Sequence, residues 1–334
     1  VVMDAGGTNF RVAVVHFDKD KKAQIEDFEL HEMPGVEKEV SRKEFFETMA
    51  GYVGDIVDQG SNIGFCFSYP AEILPNKDGK LLRFSKEIKA NEVEGQMIGE
   101  NLNTALESIG KEKKHVVILN DTVTTLLAGR AASFGKNYDS FIGFILGTGT
   151  NSAYVESNKN IKKKPDLDAG KNQIINVESG GFAEAPMGAI DKEFDGSTIN
   201  PGEHTFEKMI SGAYLGPLVF MTLKKAAEDE LLSEIACYDF AMLYELADRM
   251  VTRAAKLTAI NLSSAVIKSG RGQDPENPVC IVAEGTTFYK LRDFQSKVEK
   301  FLKEFLINKK GRYYEITKVE NATLIGAAIA GLTN

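Results

Sequence analysis

Apolar and polar positions punctuate this chain twice in the same way. In VVMDAGGTNFRVAVV, two β-branched apolar runs, residues 1–5 and 10–17, flank Gly6-Gly7-Thr8-Asn9, a pattern that predicts two strands joined by a tight turn. FIGFILGTGTNSAYVES repeats the plan, with strands over 141–147 and 151–156 around Gly147-Thr148-Gly149. Between the two hairpins, AQIEDFELHEM reads as a third strand. RKEFFETMAGYVGDIVDQG places Phe45, Phe46, Met49, Val53, Ile56 and Val57 at helical spacing, with Gly60 as its stop. NIGFCFSYP reads as a buried strand ending at Pro70, MIGENLNTALESIG as a helix, HVVILND as a strand with Asn120-Asp121 at its carboxyl end, and TVTTLLAGRAAS as the helix that follows. The second half predicts helical tracts over 205–232 and 240–268, strand PVCIVAEG, amphipathic helix FYKLRDFQSKVEKFLKEFLINKK, strand RYYEITKV and helix NATLIGAAIAGL. The order is α/β with mixed sheets, in two similar halves.

Length and charge narrow the possibilities. At 334 residues, two domains are the natural expectation. A net charge of -8 offers no basic surface for nucleic acid or anionic membrane, although a local polyanion site such as one for ATP is compatible with it. Cys66, Cys237 and Cys280 are far apart and form no CxxC pair, so they read as buried thiols of a reducing compartment. No apolar run reaches the ~18 residues that span a bilayer, and no signal-like segment is present. A cytoplasmic location is the resulting expectation. The chain begins inside a strand without an initiator Met, so further residues are expected upstream. Oligomeric state is not readable.

The chemistry centres on the two glycine turns. The first is not a Walker A loop, which needs a strand, GxxxxGK[ST] and then a helix; here a second strand follows. Glycines at a hairpin tip let backbone N–H groups approach phosphate oxygens closely, with Thr8, Asn9 and Arg11 as further donors. Asp4 could hold a hydrated metal, since magnesium keeps several of its waters. The plainer alternative is a hairpin whose glycines serve positive φ alone; two copies favour phosphate. In ILNDT, Asp121 stands where α/β sheets bind ligands and could accept a proton from a hydroxyl, or it could simply cap the helix starting at Thr122. Ser68, Ser85, Lys86, Glu178 and Glu207 also stand out. Glu207 could instead serve a helix dipole, Lys86 could be surface charge and Ser68 a strand-end cap. The four His show no ligand spacing.

Taken in order, DAGGTNFRV, GFCFSYP, FSKEIKANEVEG, NDTVTTLLA, GTGTNSAYVE, INVESGGF, FEKMISGAYLG and AEGTTFYK resemble the eukaryotic-type hexokinase family, within the actin-like sugar kinase ATPase superfamily. The resemblance spans nearly the whole chain. It implies a ribonuclease-H-like/actin-like ATPase fold of two lobes, each a mixed β-sheet flanked by helices, with a cleft between them that closes on the sugar. The small lobe is expected at 1–119 plus 321–334, and the large lobe at 120–320. It also implies phosphoryl transfer from ATP, with Mg2+, to the 6-hydroxyl of glucose or a related hexose. By the same resemblance Asp121 is the proton acceptor, and Lys86 reaches the sugar and the transferred phosphoryl. Ser85, Asn120, Asn151, Glu178 and Glu207 bind sugar hydroxyls, with Ser68 at the pocket edge. Asp4, Gly6, Gly7, Thr8, Asn9 and Arg11 form the first phosphate loop and Gly147, Thr148 and Gly149 the second, while Gly212 and Thr323 lie near the nucleoside. No protein side chain is expected to ligate the metal directly; it is held through ATP and water near Asp4.

The chain departs from the family pattern at Ser85, where the family has threonine, at Glu87 and Ile88, at Ser179, where it has an aromatic, and at Glu284. The region 228–240 is also short. The pocket residues do not separate glucose from mannose, fructose or glucosamine. A non-catalytic or regulatory hexokinase-like sugar sensor is the alternative of a different class. An actin-like filament ATPase would explain the hairpins but not FSKEIKA or NVESGGF.

Overall fold

The turn residues and strand runs fold as the hydrophobic pattern predicts, and they do so twice. The computed structural model describes residues 1–20, 22–84, 88–133, 136–231 and 237–334, the last range with backbone alone at 237–239. Two units result: Val1–Gly135 together with Val319–Asn334, and Lys136–Lys318.

The first unit is built on strands β1 (Val2–Gly6), β2 (Asn9–Phe17), β3 (Ala23–Glu32), β4 (Asn62–Phe67) and β7 (His115–Leu119), in the order β3-β2-β1-β4-β7. β1 pairs antiparallel with β2 and parallel with β4, and β4 runs parallel to β7. A two-stranded hairpin, β5 (Ala71–Ile73) and β6 (Gly79–Leu81), follows β4; the sequence pattern gave no sign of it because each strand is three residues long. β4 is buried along nearly its whole length, as a central strand covered on both faces must be. Ile63, Phe65 and Phe67 meet Phe45, Phe46 and Met49 of helix α1 (Arg42–Val53) and Leu102 and Leu106 of helix α2 (Ile98–Ser108). On the other face Cys66 packs with Val2, Leu324, Ala327 and Ala328, the last three from the last helix of the chain (Ala322–Thr333). Helix α3 (Asp121–Ala132) packs against that last helix. β3, at the sheet edge, is largely exposed and carries Glu26, Asp27, Glu29 and Glu32, charges that discourage pairing with another strand.

The second unit repeats the topology. β8 (Ser140–Leu146), β9 (Thr150–Ser157), β10 (Asn172–Asn176), β11 (Val279–Glu284) and β12 (Tyr314–Thr317) lie in the order β10-β9-β8-β11-β12, with the same succession of antiparallel and parallel pairings. Helices α4 (Ala189–Gly196), α5 (Thr205–Ile210), α6 (Gly212–Glu228), α7 (Cys237–Ser269), α8 (Thr286–Lys290) and α9 (Phe294–Leu302) complete it. Its core joins Ile142, Phe144 and Ile281 of the sheet to Phe206, Leu262, Val266, Phe288 and Phe294.

Three helices depart most from the sequence reading. The helix expected to run to Gly60 ends at Val53, where the Gly54 N–H bonds back to the Gly51 carbonyl. The tract expected over 205–232 breaks at Ser211, whose backbone is extended (φ -85, ψ 162). The helix expected through FYKLRDFQ breaks before Phe294 because Asp293 is left-handed, with φ 57. The division between units also falls elsewhere. Residues 120–135 belong with the first unit, since α3 packs on the last helix, rather than with the part that begins at 120.

Candidate functional site

Many of the predicted residues that the structure describes stand at the carboxyl ends of strands or in the hairpin turns beside them, where open α/β sheets bind ligands. In the first unit, β1 ends at Gly6, β4 ends just before Ser68, and β7 ends just before Asn120 and Asp121. Gly6 pairs with Asn9 across the two-residue turn Gly7-Thr8, and Gly7 has φ 72, a conformation that favours glycine. The turn is fastened from two directions. The Thr8 carbonyl accepts the Met33 N–H at 2.9 Å, and the Gly7 carbonyl accepts the Tyr69 hydroxyl at 2.8 Å. Burial, and then Asp4, push the Tyr69 phenol upward, so it stays a neutral donor.

Asp4 is 1% exposed and accepts from two sides: Arg11 Nη2 at 3.0 Å and Thr323 Oγ1 at 2.8 Å. The sequence reading set Thr323 near the nucleoside; its hydroxyl is found on the Asp4 carboxylate, 319 residues away in sequence. Thr323→Val should therefore cost the first unit about 1.5 kcal/mol, the worth of a hydrogen bond to a charged group, with recovery in Thr323→Ser; denaturant unfolding of the three proteins measures it.

Asp121 is the first residue of α3, but the cap is Asn120. Its Oδ1 accepts the Thr122 N–H at 2.9 Å and the Thr122 hydroxyl at 2.6 Å, while Asp121 Oδ1 shares the same N–H at 2.8 Å. Beneath them lies Cys66, in register with Asp4 on the neighbouring strand. Thr124 Oγ1 lies 3.6 Å from its sulfur and Ser68 Oγ 3.9 Å from it. Burial first, then Asp4 and Asp121, push the thiol well above its usual range, so it stays protonated. Cys66 and Thr124 are neighbours of the site that sequence reasoning missed. The signals were strand register for the first and the i+3 spacing from Asp121 for the second. The reading for Ser85 and Lys86 lies outside the described residues.

In the second unit the turn Gly147-Thr148-Gly149 is tied to α5, α6 and α8. The Gly147 carbonyl accepts from the Gly212 N–H (2.8 Å) and the Thr287 hydroxyl (2.9 Å), and the Thr148 carbonyl accepts the Ala213 N–H at 3.1 Å. Gly212 thus stands against the second turn. Glu207, in the first turn of α5, accepts the Thr150 N–H at 2.8 Å through Oε2. A Cβ on Gly149 would lie 2.6 Å from that oxygen. Asn151 is nearly buried, and its Oδ1 accepts the N–H groups of Ser152 (2.7 Å) and Ser179 (3.2 Å). Glu178 follows β10 in a left-handed conformation (φ 53, ψ 45), and Asn176 stands between it and Asn151.

The glycines separate into two kinds. Gly7 answers to its φ and Gly149 to Glu207. Gly6 and Gly147 have neither positive φ nor crowding. A Cβ would come no closer than 3.6 Å to Asp4 at the first and 3.8 Å to Gly285 at the second. Among the described residues no group of three or more His, Cys, Asp or Glu is placed to hold a metal ion, and no helix is long and apolar enough to cross a membrane.

A repeated β-hairpin sheet with polar residues at the strand ends defines an actin-like ATPase fold. Two family models, each described as hexokinase, match the chain, one over residues 1–131 and the other over 141–238 and 232–333. The chain belongs to the hexokinase family. It is 27% identical over 388 residues to Hexokinase-9 of Oryza sativa subsp. japonica, covering 98% of this chain and 76% of the relative. It is 35% identical over 245 residues to Hexokinase-5 of the same plant, covering 69% and 48%. Among solved structures, the hexokinase from Schistosoma mansoni complexed with glucose superposes with a TM-score of 0.82 at 23% identity, over 100% of this chain and 84% of that one, a likeness of fold.

Proposed function

We propose that the chain is an ATP-dependent hexokinase acting on the 6-hydroxyl of glucose or a related hexose. The observation that supports this most is the pair of corresponding turns whose Gly6 and Gly147 the fold itself does not require. Side chains missing at these two places leave room for phosphate oxygens to come close to the backbone. The other turn residues, Thr8, Asn9, Arg11 and Thr148, are the proposed further contacts. A single buried carboxylate, Asp4, beside a turn suits a magnesium ion that keeps its waters and is carried on phosphates. Bound MgATP supplies the transferable phosphoryl group and the cation that offsets its charge.

The chain's own residues position and receive. Asp121 orients the acceptor hydroxyl and takes its proton. Phosphoryl transfer has a loose transition state, so orientation matters at least as much as basicity. Asn120, Asn151, Glu178 and Glu207 are assigned to sugar hydroxyls, each of which donates and accepts. Carboxylates accept from a hydroxyl and amides both accept and donate, and a sugar lacking one hydroxyl would leave a polar partner unpaired. Ser68, Ser85 and Lys86 keep the roles the resemblance implies.

The test is a coupled assay of the purified protein with magnesium across nucleotides and across glucose, mannose, fructose and glucosamine. The expected result is ADP and a hexose 6-phosphate from ATP and at least one hexose. No product from any pair overturns the kinase reading. Sugar binding without product would establish the sensor alternative.

A further inference from the structure

We infer that Asn176 is a positioning residue that aims the Glu178 carboxylate at a sugar hydroxyl, an inference that rests on the hexose-binding reading above. Asn176 ends β10, paired with Ala153 of β9, and the resemblance to hexokinases singled it out for nothing. Three side chains form a directed chain. Asn151 Oδ1 accepts two backbone N–H groups, from Ser152 and Ser179, so this atom is the oxygen and the amide nitrogen must face the other way. That nitrogen donates to Asn176 Oδ1 at 2.7 Å, which fixes the second amide in turn. Asn176 Nδ2 then donates to Glu178 Oε1 at 2.8 Å. Polarity passes from backbone to Asn151, to Asn176, to Glu178, without a choice at any step.

The middle position needs a group that accepts on one side and donates on the other. An amide does both, whereas an ionised carboxylate only accepts. The receiving residue is held by its backbone as well. Glu178 has a left-handed conformation uncommon outside glycine. The next residue, Ser179, is anchored from α7 by the Asn261 amide, which donates to its hydroxyl at 3.2 Å. Glu178 is nevertheless exposed, so the carboxylate is fixed in place and open to a ligand. Fixing a binding group before the ligand arrives removes an ordering cost from binding.

Asn176→Asp tests this through charge. Above neutral pH it sets a second carboxylate against Glu178. As pH falls, the pair takes up one shared proton, and an O–H replaces the lost amide donor. Calorimetric titration of the whole chain with glucose, mannose and glucosamine should show about tenfold weaker binding than wild type at pH 8, closing to within about threefold at pH 5.5. Asn176→Ala should weaken binding about fivefold at both pH values, without recovery. MgATP affinity and the unfolding midpoint of both variants should stay at wild-type values. A merely structural asparagine would move the midpoint and leave the pH dependence alone. A wild-type to Asn176→Asp ratio that is flat with pH, or wild-type affinity in Asn176→Ala, overturns the inference. Wild-type protein that binds none of these sugars overturns the hexose reading itself, and that titration is independent of the variants.

Discussion

Replacing Asp121 by alanine is expected to lower turnover by about 10³-fold, the middle of the range for a positioned acid–base group, while glucose affinity stays within a few-fold of wild type. The geometry explains why the effect should fall on the chemical step. Asp121 shares the Thr122 N–H with Asn120, and it is Asn120 that also holds the Thr122 hydroxyl and caps α3. The helix therefore keeps its cap when Asp121 is removed, and the unfolding midpoint should barely move. Asn120→Ala is the contrast. It removes the cap, at a cost of about 1 kcal/mol, so its loss of activity should come with a loss of stability. Coupled-assay turnover, calorimetric glucose binding and thermal unfolding separate the two variants. An Asp121→Ala enzyme within tenfold of wild type would remove the proton-accepting role.

Much of this site was legible because local sequence dictates it. Gly6-Gly7-Thr8-Asn9 and Gly147-Thr148-Gly149 each lie between β-branched runs, and the fold places both turns at corresponding points of two sheets with one topology. Asp121 was readable as a residue at a strand end, since an apolar strand followed by a helix leaves little choice. Of the two roles weighed for Asp121, the capping one falls to Asn120, whose oxygen accepts the Thr122 N–H; proton acceptance is the role proposed for Asp121. What stayed hidden is long-range. Nothing near Asp4 announces Thr323, and nothing near Glu178 says that Asn176 is shared with Asn151. Ser211 broke a helix that its apolar spacing would have continued, because the Gly212 and Ala213 N–H groups are drawn to the carbonyls of the second turn. The unit boundary was set sixteen residues too early for a related reason. A strand end looks like a border in sequence, whereas the partner that claims α3 is a helix some two hundred residues away, and the contact is made by glycine.

That contact should be the most sensitive point of the first unit. A Cβ on Gly326 would stand 1.9 Å from the Thr124 carbonyl oxygen, and one on Gly64 would stand 1.9 Å from the Ala327 carbonyl oxygen. The last helix is thus pressed between α3 on one side and β4 on the other, with glycine admitting backbone to backbone at both faces. Asn62 adds a hydrogen bond from its amide to the Gly331 carbonyl at 2.7 Å. A clash with backbone cannot be relieved by a rotamer change, so a helix or the strand must move. Gly326→Val is expected to destabilise the first unit by about 3 kcal/mol or more, the upper end for overpacking, and Gly326→Ala by somewhat less. Denaturant unfolding measures the loss, and a value under 1 kcal/mol for the valine variant would show that the helices do not meet this closely. Activity should fall alongside stability. Thr124, the residue struck, lies one turn beyond Asp121 and donates to its carbonyl at 2.8 Å, while Thr323, which fastens Asp4, precedes Gly326 by three residues on the other helix. Parting α3 from the last helix would therefore displace the proposed proton acceptor and the carboxylate at the first turn together. Gly64→Val, on the opposite face, would displace the last helix from β4, disturbing Thr323 before Asp121. If both variants retain enough fold to assay, Gly326→Val should lose more turnover and Gly64→Val more ATP affinity. The difference follows from which side of one helix each glycine admits.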